Sequence, residues 1–163
     1  MASNRSRSGA YALMLYGSFA IGCQVLAANT SLKSMIAEFG WTDAQGGLLI
    51  SCMSIGCLVS GLFTGAISQR FTRKKVMLVY GLLLFLSFGL ETLLGTPALF
   101  YLLMVLAGFF WGGVNNIVNS ATAELYEGST AKLNLLGVTY GVGAVLVPLV
   151  ISALLLAGVS WRV

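Results

Sequence analysis

Histidine is absent from this sequence, aspartate occurs once, at Asp43, proline occurs twice, and charged residues make up only 9% of the 163 positions. With no histidine, and no serine, lysine or paired-carboxylate arrangement inside the apolar stretches, the chain holds none of the usual catalytic constellations and is not expected to be an enzyme. No cofactor and no metal site are implied. So little charge also excludes a soluble domain, because too little surface is left to solvate one. The expectation is a single membrane domain over residues 1–163.

What is abundant is uninterrupted apolar sequence. Hydrophobic residues make up 58% of the chain, and no charge falls between Arg7 and Lys33, between Asp43 and Arg70, or between Lys132 and Arg162. A hydrocarbon core about 30 Å thick needs roughly 20 apolar helical residues to cross it. Five stretches meet that length, at about residues 11–30, 44–69, 76–94, 97–123 and 133–157. They are continuously apolar rather than alternating, which predicts helices and not barrel strands. The first is too long for a signal-peptide core and lacks a cleavage pattern, so it is expected to be retained. Cys23, Cys52 and Cys57 lie within these stretches and read as small packing residues.

Short connections make successive spans antiparallel neighbours. Gly95-Thr96-Pro97 reads as a turn with proline opening the next helix, where its missing N–H does no harm. Pro148 lies inside the fifth stretch and predicts a kink there. Arg70, Arg73, Lys74 and Lys75 crowd one short loop, and the positive-inside rule places that loop and the amino terminus, with Arg5 and Arg7, in the cytosol. Retention beside the membrane explains this basic cluster without any nucleic-acid partner.

Small residues recur four apart: Gly47 and Ser51, Gly56 and Ser60, Gly61 and Gly65, Gly108 and Gly112, Gly137 and Gly141. Such spacing lets helix backbones approach closely in lipid, where van der Waals contact drives association. The chain also echoes itself at an offset of 90, matching Phe19 with Phe109, Gly22 with Gly112, Asn29 with Asn119 and Gly47 with Gly137 (112 − 22 = 90). Spans one and two then correspond to spans four and five, as in the three-helix repeats of secondary transporters.

The segment from Gly65 through Gln69, Arg70, Phe71, Thr72, Arg73 and Lys74 to Lys75 resembles the loop signature of the major facilitator superfamily, with Gly65, Arg70, Arg73 and Lys74 matching. Gln69 stands in place of the acid and Thr72 in place of the second glycine. Asn119, Lys132-Leu133-Asn134-Leu135, Gly141-Val142-Gly143-Ala144 and Pro148 are similar to the fucose-permease-like sugar branch of that superfamily. Val147 departs from the glycine usual before the proline, and Gly137 from the Gln or His often found there. The resemblance implies an all-α membrane protein with five transmembrane helices, a partial six-helix half of a major facilitator fold. Ser160-Trp161-Arg162 looks like the run that precedes a sixth helix, so the carboxyl end is expected to be a truncation and Met1 a true start. The partners are then the lipid bilayer, a small polar solute and the missing carboxyl-terminal half. The localisation is the plasma membrane, or the cytoplasmic membrane of a bacterium, with the chain multi-pass and its amino terminus cytosolic.

Polar groups in lipid are costly unless they face a cavity or a partner. Gln24, Asn29, Asn115, Asn116, Asn119 and Tyr140 are therefore the candidate solute residues, with Asn134 a further in-span polar group. Amides suit hydroxyl-rich solutes because each donates and accepts. In the resembling branch, Asn29 and Asn115 fall on positions that carry acids. Glu91, near the outer end of span three, is expected to be an interfacial carboxylate. Gly65, Arg70, Arg73, Lys74 and Glu124 are the candidate gating residues, since the family latches helices through comparable cytosolic charges. The function implied is transport by alternating access, inactive in this portion alone. The alternative reading is a stand-alone five-span interaction module or oligomeric pore.

Overall fold

The computed structural model describes residues 4–160 except 92, 94 and 95. The expected end of span three at Leu94, the turn residue Gly95 and the Trp161-Arg162 pair lie outside the described residues.

Five helices follow one another: α1 Asn4–Phe39, α2 Asp43–Arg70, α3 Arg73–Glu91, α4 Pro97–Leu125 and α5 Thr130–Leu156. Four helical stretches, Arg7–Phe39, Asp43–Arg70, Ala98–Leu125 and Thr130–Leu156, are long and apolar enough to cross a membrane. The third helix differs because Arg73, Lys74, Lys75 and Glu91 all fall within its 19 residues. The first helix runs well past the expected span because nothing between Thr30 and Phe39 breaks it. It stops at Gly40, whose φ of 64° reverses the chain while the Trp41 N–H reaches back to the Ile36 carbonyl at 3.0 Å. At the start of α2 the Thr42 hydroxyl accepts from the Gln45 N–H, and the Gln45 side chain accepts from the Thr42 N–H at 2.8 Å.

The chain groups into two compact units, one from Met1–Ser31 with Val118–Trp161 and the other from Leu32–Ile117. In the second, α2 and α4 cross on glycine. A methyl added to Gly56 would collide with the Val105 carbonyl, and one added to Gly108 with the Met53 carbonyl. Gly112 lies against Cys57, and Gly113 lies under the ring of Tyr80. Tyr80 in turn meets Phe109 and Phe110 at ring separations of 5.7 and 5.5 Å. Phe100 is 0% exposed, with Trp41 edge-on at 5.2 Å and Phe39 at 5.4 Å. The buried Ser60 and Thr64 hydroxyls satisfy each other at 2.9 Å along α2, as groups removed from water must.

Of the small-residue pairs, Gly108–Gly112 and Gly56–Ser60 are used in this crossing, Ser60 being buried. Space is open around Gly47, Gly61, Gly65, Gly137 and Gly141. Glu91 lies on the protein-facing side of α3. It is only 4% exposed, and its Oε1 has no partner among the described residues. Val76, Tyr80, Leu84, Ser87 and Glu91 recur at helical spacing on the buried face of α3, and that register carries the carboxylate inward.

The first unit rests on an α1–α5 crossing. Gly22 meets the Tyr140 backbone, and a methyl on Gly143 would lie 2.5 Å from the Phe19 carbonyl. Thr122 of α4 donates to the Met14 sulfur at 3.1 Å. Within α5 only Leu136 and Gly143 are buried, while Val138, Val145, Leu149 and Val150 are exposed.

Candidate solute groove

Glycine on both sides of the α1–α5 crossing brings the backbones together and leaves a groove beside the contact. Its volume is about 480 Å³, lined by Tyr16, Phe19, Ala20, Cys23, Gln24 and Ala27 of α1 and Val147 of α5. The α1 residues recur at three- and four-residue steps, so they form one face of the helix. Two aromatic rings, two alanines and a valine make the groove mainly apolar. Gln24 supplies amide donors and an acceptor, and no lining residue is charged.

Of the expected solute residues, Gln24 alone lines this groove. Asn29 and Asn116 are exposed on their helices, Asn119 is exposed, and Asn115 and Tyr140 are half-buried. Asn115 and Asn119 each have an interaction partner within the protein. Tyr140 contributes its backbone to the contact with Gly22. Among the gating candidates, Gly65, Arg70, Lys74 and Glu124 are exposed and Arg73 is half-buried, with Arg73 and Glu124 both engaged in interactions.

Sequence reading missed the remaining groove residues. The available signal was the spacing of Tyr16, Phe19, Cys23 and Ala27 around Gly22, which reads equally well as ordinary packing. It also missed a cluster beside the α4–α5 turn. The Lys132 ammonium lies 4.8 Å from the centre of the Tyr11 ring and 5.1 Å from that of Tyr126, within cation–π range. The two rings meet edge-on at 5.0 Å, and the Tyr11 hydroxyl donates to the Lys132 carbonyl at 2.8 Å. The turn places Glu127 at φ 52° and Gly128 at φ 76°, closed by the Gly128 N–H on the Ala123 carbonyl at 2.7 Å. No group of three or more His, Cys, Asp or Glu that could hold a metal occurs among the described residues.

Long apolar helices crossing on glycine, with large hydrophobic side chains turned outward, define a helical multi-pass membrane protein. The chain belongs to the Major Facilitator Superfamily, whose family model it matches over residues 12–163. It is 29% identical over 117 residues to sugar phosphate exchanger 3 of Bos taurus, covering 66% of this chain and 24% of that protein. It is 28% identical over 126 residues to an uncharacterised MFS-type transporter of Yersinia pestis, covering 76% and 33% of the two chains. A protein of Haemophilus influenzae provisionally named a metabolite transport protein is 31% identical over 147 residues, covering 86% and 35%. The aligned part spans about a quarter to a third of these relatives. No solved structure matches.

Proposed function

We propose that this chain is the amino-terminal portion of a secondary transporter that moves a small polar solute, such as a sugar, by alternating access. In this reading all five helices cross the membrane as one domain, the amino terminus is cytosolic, and the portion does not transport alone, because the central site of such carriers forms at the interface between repeats. The observation that carries the proposal is the α1–α5 groove, a concave apolar surface with the Gln24 amide in its wall. Gln24 is the first solute contact, and Asn29, Asn115, Asn116, Asn119 and Tyr140 are secondary candidates. Gly65, Arg70, Arg73, Lys74 and Glu124 form the cytosolic gating set.

A ligand that binds only the folded chain raises its melting temperature by mass action. Neutral sugars are therefore expected to raise the melting temperature of the reconstituted chain, and Gln24→Leu to abolish the rise. An undiminished rise in Gln24→Leu would remove Gln24 from the site.

A further inference from the structure

We infer that the start of α3 binds an anionic phospholipid, with Lys74 and Lys75 taking the headgroup phosphate and the outward face of Leu78, Leu82 and Phe85 taking the acyl chains. Such a site requires α3 to cross the bilayer, as proposed above, and lies on the side of that helix turned away from the protein.

The charge stands at one end of a short apolar segment. Lys75 precedes Glu91 by 16 residues with no charge between them, about 24 Å along the axis at 1.5 Å per residue. A hydrocarbon core is about 30 Å thick. A crossing this short holds Lys75 close to the hydrocarbon boundary, where its stem lies along the chains and its ammonium reaches the phosphates. Helical register then decides what lies below the ammonium groups. Val76, Tyr80, Leu84, Ser87 and Glu91 face the protein, and the opposite face carries Lys74, Leu78, Leu82 and Phe85 at steps of three and four residues. All four are exposed, Phe85 at 71%, and Lys75 is exposed beside Lys74.

The same end of the helix pair collects more of what a headgroup layer recognises. α2 and α3 touch. Arg70, the last residue of α2, is exposed, and Phe71 in the turn between the helices is 59% exposed, a placement that suits an aromatic ring at the membrane interface. Each Lys or Arg near the membrane surface raises the affinity for anionic lipid about fivefold. A zwitterionic headgroup brings its own cation to the same place and gains less. A free anion would meet the charges and leave Leu78, Leu82 and Phe85 uncovered, whereas an apolar peptide would cover those three and leave the ammonium groups without an anion. One phospholipid supplies both, phosphate above and chains below, in the order in which α3 presents them.

Phe85→Trp places a fluorescent reporter on the outward face, and Leu78→Trp is a second reporter on the same face. The 163-residue chain is reconstituted in nanodiscs of equimolar phosphatidylcholine and phosphatidylglycerol, with one lipid or the other brominated mid-chain so that it quenches an indole on contact. The unsubstituted chain supplies the background of Trp41, Trp111 and Trp161. Brominated phosphatidylglycerol should quench the added tryptophan about fivefold more than brominated phosphatidylcholine. Lys74→Gln with Lys75→Gln should make the two lipids equal, while Lys33→Gln, at an exposed cation of α1, should leave the preference unchanged. Equal quenching by the two lipids in the unaltered background, or a preference that survives the double substitution, would overturn the site and leave α3 in the bilayer. Quenching of both reporters by aqueous iodide and by neither lipid would overturn the crossing of α3 itself. Quenching by none of the three would show protein seated on this face, a second copy included, and would overturn the site alone.

Discussion

The two helix crossings solve the same packing problem and leave different surfaces. At the α2–α4 crossing Gly56 and Gly108 each face the opposite backbone, Gly112 extends the contact, and Tyr80 closes over Gly113 with Phe109 and Phe110 beside it. At the α1–α5 crossing Gly22 and Gly143 make the equivalent approach, but the residues beside them leave an open groove that contains an amide. Backbones in direct contact beneath aromatic rings have little room to move, whereas an open groove is where binding and movement are cheapest. Gly22 and Gly112, which match at the offset of 90, each sit in one of the two crossings, whereas Gly56, Gly108 and Gly143 have no glycine at that offset.

The comparison breaks first at the sealed crossing. Gly108→Leu should destabilise by about 3 kcal/mol or more, because the Met53 backbone cannot move aside as a flexible side chain could. Thermal unfolding and yield in detergent would show it, and Gly61→Ala, where space is open, should be nearly silent. An equal loss from both substitutions would show that the close approach to Met53 does not set the cost.

Gly143→Ala should cost less, about 1–3 kcal/mol, because α5 is largely exposed and has room to shift. The shift should also widen the groove and speed alkylation of Cys23 while leaving Cys57 unchanged. A change confined to stability would separate the crossing from the groove.

Lys132→Met should remove about 1 kcal/mol by losing its cation–π contacts with Tyr11 and Tyr126, and Lys132→Arg should retain most of it. Melting temperatures of the two variants decide between charge and packing. The smallest effect is a gain. Glu127→Gly should stabilise by about 0.5–1 kcal/mol, since an L side chain at φ 52° is strained and glycine is not.

Helix number and type were legible because they depend on local composition and length, which lipid constrains severely, but of the five stretches expected to span, four are long and apolar enough among the described residues, α3 carrying Arg73, Lys74, Lys75 and Glu91. The start of α4 was readable from Pro97 for the same local reason. Glu91 was not. Its place near a helix end did not show which side its carboxylate takes, and the four-residue register of Val76, Tyr80, Leu84, Ser87 and Glu91 shows that it turns inward. Of the amides chosen as solute contacts, the sequence alone could not separate Gln24, which lines the groove, from Asn115 and Asn119, which have partners within the protein.

The sequence by itself therefore determined a helical membrane protein of the Major Facilitator Superfamily, because apolar length and motif are properties of contiguous residues. Tertiary structure alone decided which glycines carry the crossings and which polar group faces open space. Every four-residue pair of small residues looks alike along one helix, yet among the described glycines Gly22, Gly56, Gly108, Gly112 and Gly143 are the ones whose register meets a facing backbone.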